Sequence, residues 1–315
     1  MSAIRTAVVG VGYLGRFHAQ KYAAHHDCEL VAVVDADAHR AQSVANELGC
    51  QALTDPSDLA GRVDAVSLAS PTRLHFALAE PLLADGVHML IEKPITTTLD
   101  EADALIAAAK ANNVVLQVGH LERFNPAMVA AASQLHQPLF IESHRIAPFN
   151  PRGADVSVVL DLMIHDIDLI LELVASPLER LDASGAAVIS NDIDIANARL
   201  RFGDGCVANV TASRVSPKAE RRMRIFQPNA YISLDLQAGS LDIQRRDPNH
   251  QGPPTMAQIR HETQAPGQTD ALADEIAAFV AAVQGTQPPV VSGEDGRRAL
   301  AAAIEIGQQL SRNRA

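Results

Sequence analysis

The stretch A-V-V-G-V-G-Y-L-G, residues 7–15, constrains the fold more than any other. Gly10, Gly12 and Gly15 follow a β-branched run and open a run of helical period at Tyr13, and Asp35 ends the next β-branched run, 20 residues beyond Gly15. A strand, a glycine turn, a helix and then an acid form the arrangement that receives a dinucleotide. The glycines let the turn tighten and the backbone come close, and the helix start offers its free N–H groups to a pyrophosphate. A tight turn alone explains the glycines but not the acid. Asp35 is expected to accept hydrogen bonds from the adenosine ribose and to repel a 2'-phosphate, which favours NAD over NADP. Arg40, one helical turn farther on, is placed to contact a phosphate.

The same rhythm continues to Gly119. Apolar runs at Ile4 to Val9, Leu30 to Val34, Ala65 to Leu68, His88 to Ile91 and Val114 to Val118 alternate with helical patterns near Tyr13 to Ala24, Ala38 to Leu48, Leu74 to Asp85 and Leu99 to Asn112. This predicts a parallel sheet with covering helices. Beyond it, helices are expected near Pro126 to Leu135 and Ser157 to Val174. Alternating strands then follow at Ile195 to Phe202, Cys206 to Ser213, Arg221 to Phe226, Tyr231 to Leu236 and Leu241 to Arg245. Asp247 to Pro266 is rich in loop formers and reads as an exposed loop, and two Ala-rich helices, Ala271 to Gln284 and Gly293 to Ser311, close the chain. The fold class is therefore an α/β Rossmann domain, residues 1–120, followed by an α+β domain with an open, largely antiparallel sheet, residues 121–315; the last helix is expected to pack back on the first domain. The 315 residues exceed what one core usually serves.

Composition narrows the function. A net charge of -11 argues against a nucleic-acid partner, because phosphate backbones need a basic face. Three cysteines, Cys28, Cys50 and Cys206, have no metal-type spacing and fit a reducing compartment. The first residues run straight into a strand, so neither a leader nor a membrane span is expected and a cytoplasmic location is.

Two further stretches carry chemistry. E-K-P, residues 92–94, ends a strand at the carboxyl edge of the sheet, where ligands bind in open α/β folds, and Pro94 biases the Lys93 backbone towards an extended form. D-L-M-I-H-D-I-D-L-I, residues 161–170, sets Asp161, His165, Asp166 and Asp168 into an apolar run. On a regular helix Asp161, His165 and Asp168 share a face that can line a pocket. Satisfied structural pairing, for instance with Arg145 or Arg123, is the better expectation for Asp166 and Asp168. A divalent metal held by this stretch with His120 or His144 is the weakest reading, since no H-E-x-x-H spacing appears.

With G-V-G-Y-L-G, Asp35, A-S-P-T-R-L-H (69–75), E-K-P and the D-x-x-x-H of Asp161 and His165 in this order, the chain resembles the Gfo/Idh/MocA family of NAD(P)-dependent sugar and polyol oxidoreductases. The resemblance runs over essentially the whole chain. It implies that Lys93, Asp161 and His165 carry catalysis, and that Tyr13, Leu14, Ser70, Thr72, His75 and Glu92 join Gly10, Gly12, Gly15, Asp35 and Lys93 around NAD. Arg73 departs from it, because many members carry asparagine there or close by. An imidazole, with an ordinary pKa of about 6.5, is a suitable base for a secondary hydroxyl at neutral pH. A lysine beside the same oxygen stabilises the charge that develops. Asp161 orients the imidazole or the substrate.

V-G-H-L-E-R-F-N-P, residues 118–126, and D-V-S-V-V-L-D-L-M-I-H-D-I-D-L-I resemble the branch of this family that oxidises nucleotide sugars at C3, especially UDP-N-acetylglucosamine ahead of the transamination that leads to lipid A. His120, Arg123, Asn125 and Arg145 are the expected substrate contacts. Arg214, Lys218, Arg221, Arg222 and Arg224 form a basic run suited to a diphosphate; a solvated or intersubunit strand face explains any one of them equally well. Free sugar or inositol oxidation is the alternative reaction, and a non-catalytic NAD-binding sensor or scaffold the alternative of another class. The resemblance also implies a homodimer or homotetramer formed through the second sheet.

Overall fold

The computed structural model describes residues 3–149, 157–247, 255, 259–267 and 269–312. The chain forms two units, Met1–Leu121 with Asp270–Leu300, and Glu122–Thr269 with Ala301–Ala315.

The first unit alternates β1 (Ile4–Val9), α1 (Tyr13–Ala24), β2 (Cys28–Val34), α2 (Ala38–Leu48), β3 (Gln51–Leu53), β4 (Ala65–Leu68), α3 (His75–Ala84), β5 (His88–Glu92), α4 (Leu99–Ala111) and β6 (Leu116–Gly119). The strands lie in the order β3-β2-β1-β4-β5-β6, all parallel. Val8, Val33, Val66 and Leu90 are fully buried, which is why these strands read as apolar runs without alternation: helices cover both faces. Strand order reverses between β1 and β4, so the crevice beyond their carboxyl ends is the place a ligand occupies in such a sheet. Asp37 caps α2 by accepting the N–H groups of His39 and Arg40, and Thr98 with Glu101 forms a capping box on α4. The next helix, α5 (Pro126–Ala131), belongs to the second unit, whereas α7 (Ala271–Val283), from the far end of the chain, completes this core by placing Ile276, Phe279 and Val280 beside Val8, Tyr22 and Val33.

The second unit holds α5 (Pro126–Ala131), β7 (Phe140–Ile146), a π turn (Val159–Met163) running into α6 (Ile164–Leu173), and β8 to β14: Leu178–Ala186, Ile195–Phe202, Val207–Ser213, Glu220–Gln227, Ala230–Asp235, Ser240–Arg246 and Ile259–Gln264. α8 (Gly293–Arg312) ends the described chain. The sheet order is β14-β13-β12-β11-β7-β10-β9-β8, antiparallel throughout except for β7 beside β10. Ile141, Ala208, Val210, Ile225, Ile232, Leu234 and Leu241 are buried on one face. The opposite face carries polar cross-strand pairs, Asn197 to Thr211 at 2.9 Å and Arg199 to Asn209 at 3.0 Å. It also carries an aromatic row in which the rings of Phe140 and Tyr231 lie 5.8 and 5.0 Å from that of Phe226.

Several expectations need correcting. The helix expected over Ser157 to Val174 begins with a π turn, whose extra residue rotates Asp161 relative to His165. As expected, apolar side chains lie on both sheet faces: Val210, Ile225, Leu234 and Leu241 on the buried one, Val207 and Tyr231 on the other. Asp247 to Pro266 is not simply a loop, since Ile259–Gln264 pairs with β13; residues 248–254 and 256–258 of that stretch lie outside the described residues. Among the described residues no helix is long and apolar enough to cross a membrane.

Candidate active site

The glycine turn is shaped by three different needs. Gly10 has φ +85°, and a Cβ there would stand 2.8 Å from the Ala69 carbonyl oxygen. At Gly15 a Cβ would fall 1.8 Å from the Gly10 carbonyl oxygen, so the helix can leave the strand this closely only without a side chain. Gly12 differs, because a Cβ there would meet nothing within 4 Å. Its need for openness comes from outside the protein. Gly12 is also the N-cap of α1 and makes no side-chain cap, which leaves the first-turn N–H groups for a ligand anion. Next to it lies a cleft of about 770 Å³ lined by Gly10, Asp35, Arg40, Pro56, Ser70 and Leu74 among others. Tyr13 is well exposed at the start of α1, Leu14 and Thr72 are half-buried, and Arg73 is exposed.

Asp35 is held in place before any ligand arrives. One oxygen accepts the Val11 N–H at 3.0 Å, the other the Asp37 N–H at 2.9 Å, and Arg40 Nη1 approaches both at 3.1 and 3.2 Å. The carboxylate is nearly buried whereas Arg40 is half-exposed, so the guanidinium can move and the acid cannot.

At the end of β5, Glu92 is followed by Lys93, and the Lys93–Pro94 peptide bond is cis. Lys93 is half-buried. Its N–H donates to Glu92 Oε2 at 3.3 Å, and Glu92 Oε1 lies 3.1 Å from His18 Nε2. His75 is buried between two loops, with Nε2 2.9 Å from the Ser70 carbonyl oxygen and Nδ1 3.1 Å from that of Pro94. Burial pushes its pKa down against the opposing pull of these carbonyls. His75 thus ties the Ser70 loop to the lysine loop, and does so through its ring nitrogens. His18 and Glu92 form a pair that the motif reading passed over; the available signal was a histidine on the buried side of α1, three residues after Gly15.

In the second unit Asp161 and His165 are half-buried while Asp166 and Asp168 are buried. The three-residue face expected for Asp161, His165 and Asp168 is therefore not what forms. Asp168 belongs to the interior, bonded by Arg123 Nε at 2.6 Å and Nη2 at 2.9 Å. Asp166 accepts Arg145 Nε at 2.6 Å and the Ser143 hydroxyl at 2.7 Å, and Arg145 Nη1 reaches Glu122 at 2.7 Å. Burial alone would lower the pKa of Arg145, and the two flanking carboxylates more than reverse that. Asn125 caps α5, with its amide nitrogen on Glu122 and on the Leu236 carbonyl oxygen. Arg123, Arg145 and Asn125, expected at the substrate, spend these polar atoms inside the unit. His120 is buried in the first unit. The clusters of three metal-type side chains among the described residues, His25 with His26 and Asp27, and His18 with Glu92 and Glu275, include neither Asp161 nor His165.

The basic run divides. Arg214 is buried against Asp194 at 3.0 Å, whereas Lys218, Arg221, Arg222 and Arg224 line a hollow of about 800 Å³ with Asp235 and Gln237.

An open glycine turn, a fixed acid just past β2 and the adjoining cleft define a dinucleotide-binding Rossmann protein. Residues 4–120 match the oxidoreductase family with an NAD-binding Rossmann fold, and residues 130–233 match the GFO/IDH/MocA C-terminal domain. Among similar proteins, the UDP-N-acetylglucosamine 3-dehydrogenase of Acidithiobacillus ferrooxidans is 43% identical over 97% of both chains, and its solved structure has a TM-score of 0.92 over 99% of each. The inositol 2-dehydrogenase of Rhizobium meliloti is 27% identical over 95% of this chain and 94% of its own. This chain belongs to the GFO/IDH/MocA family of oxidoreductases.

Proposed function

We propose that the chain oxidises the C3 hydroxyl of UDP-N-acetylglucosamine with NAD, giving the 3-keto sugar that a transaminase converts towards lipid A. The carrying observation is the 43% identity, over 97% of both chains, to a UDP-N-acetylglucosamine 3-dehydrogenase. The presence of Lys93, Asp161 and His165 supports it. When bound, NAD supplies the hydride acceptor. The uncapped start of α1 and the space at Gly12 would hold its pyrophosphate, and Asp35 would hold the ribose once Arg40 swings aside. His165 takes the hydroxyl proton, Lys93 faces the oxygen as negative charge develops, and Asp161 orients the imidazole. The basic hollow at Lys218 to Arg224 suits a diphosphate. The aromatic row of Phe140, Phe226 and Tyr231 supports association of the protein with itself through the second sheet, in the cytoplasm.

The test is NADH formation by the full chain with UDP-N-acetylglucosamine, UDP-glucose and myo-inositol as separate substrates. Turnover with the first alone supports the proposal. Turnover with myo-inositol alone replaces it with the inositol reading, and tighter binding of NADP than of NAD overturns the role of Asp35.

A further inference from the structure

Glu275, on α7, has no place in the chemistry described above. Its side chain is fully buried in the first unit, and neither carboxyl oxygen has a hydrogen-bond partner among the described residues. One oxygen of Glu275, one of Glu92 and a ring nitrogen of His18 all lie within 4.8 Å of one another. Gln117 of β6 donates its amide N–H to the Glu275 backbone oxygen at 3.3 Å, while its own side-chain oxygen is buried and unpaired. The surroundings of Glu275 thus include buried acceptors and a neighbouring carboxylate, and among the described residues no donor is bonded to its carboxyl oxygens. An ionised carboxylate there would be a buried, acceptor-only charge beside a second one. A protonated carboxyl avoids that charge and supplies a donor beside these unpaired acceptors.

Glu92 links this cluster to the lysine loop. It accepts the Lys93 N–H at 3.3 Å, faces His18 at 3.1 Å, and is backed so closely by β6 that a Cβ on Gly119 would stand 3.0 Å from its carboxyl carbon. Glu92 has little freedom of its own, and a second negative charge behind it would push it towards Lys93.

We propose that Glu275 is a positioning residue: as a neutral acid behind Glu92 it fixes the His18–Glu92 pair and thereby the strand end that carries Lys93. This rests on Lys93 serving the reaction proposed above. The titratable groups around Glu275 are Glu92 on β5 and His18 and Tyr22 on α1. Burial raises Tyr22, so it does not ionise in the range that matters. Burial and the adjacent Glu92 raise Glu275 well above the ordinary carboxyl range.

Glu275→Gln keeps the volume and fixes the neutral state, and Glu275→Leu removes the polar group. The wild type should show an infrared band of a protonated carboxyl at neutral pH that Glu275→Gln lacks. Its melting temperature should fall between pH 5 and pH 8 relative to that of Glu275→Gln, since the unfolded chain releases a proton there that the folded chain retains. Turnover of UDP-N-acetylglucosamine by Glu275→Gln should match the wild type at neutral pH and lack its decline at high pH, and Glu275→Leu should lose about tenfold to a hundredfold in kcat with NAD affinity unchanged. Parallel melting slopes, no lost carboxyl band, or a stoichiometric divalent cation in the purified protein would overturn the neutral acid. An unaltered pH profile in Glu275→Gln would overturn the positioning role even if Glu275→Leu fails to fold. The infrared and melting measurements need no substrate, so they stand if the assignment to UDP-N-acetylglucosamine fails.

Discussion

The glycine turn of the first unit and the ionic interior of the second treat polar groups in opposite ways. At the turn, the α1 N–H groups have no side-chain cap and Gly12 faces open space. In the second unit the buried carboxylates are saturated: Asp166 by Arg145 and Ser143, Asp168 by Arg123, and Asp194 by Arg214, Ser190 and three backbone N–H groups. Unmet polar groups at a surface cost little because water serves them until a ligand does, whereas an unmet charge in an interior costs several kcal/mol. A polar group left open at the surface therefore points to binding, and one closed off in the interior points to structure.

The contrast is tested most severely inside the turn itself. Gly15→Ala should yield no stably folded protein by circular dichroism, because its Cβ would lie 1.8 Å from the Gly10 carbonyl oxygen. In the second unit, His165→Asn should lower kcat by roughly two to four orders of magnitude while leaving NAD affinity and melting temperature nearly intact. Near-normal turnover would move His165 into the structural group with Asp166. Arg145→Met leaves Asp166 and Glu122 buried without their cation and should cost about 3–5 kcal/mol in denaturant unfolding; a loss of turnover without a loss of stability would move Arg145 to the substrate.

A smaller effect concerns acid. Burial alone would raise the pKa of Asp194, but the Ser190 hydroxyl and the N–H groups of Val188, Ile189 and Ser190 outweigh it and hold the carboxyl well below the usual range. Its contribution is present above the unfolded carboxyl pKa and lost as pH falls through the lowered folded value. Asp194→Asn should therefore flatten the acid limb of a melting curve against pH while lowering stability at neutral pH. The smallest effect closes the comparison. Gly12→Ala should leave the melting temperature of the ligand-free protein unchanged and weaken only NAD binding, as measured by calorimetry.

The sequence allowed the first unit to be read almost element by element, because a parallel sheet covered on both sides writes itself as apolar runs and its turn needs glycines at fixed places. Gln51–Leu53 was too short to register. In the second unit Leu178–Ala186 and Ile259–Gln264 escaped because edge strands bury little, and Ile259–Gln264 is almost wholly exposed. Phe140–Ile146 alternates cleanly, yet both neighbours that make it a central strand begin more than 60 residues later, at Val207 and Glu220. Within the site, the glycines, Asp35 and Lys93 follow from local pattern. The partners of Arg145 and Arg123 do not, since distant charges can be matched in many ways and only the folded chain chooses. Glu275 was invisible for the opposite reason, being one acid in an Ala-rich helix.

The contribution of α7 to the first core also has a consequence in time. Ile276, Phe279 and Val280 pack with Val8, Tyr22 and Val33, so a ribosome that has released residues 1–121 has released a sheet whose helical cover is incomplete. Residues 122–269, the larger part of the second unit, must emerge before that cover arrives, and β7, the first strand of its sheet to be made, waits for β10 and β11. The unit begun first thus stays incomplete through most of synthesis, and meanwhile the growing chain presents an apolar surface that the holding action of a chaperone is suited to shield.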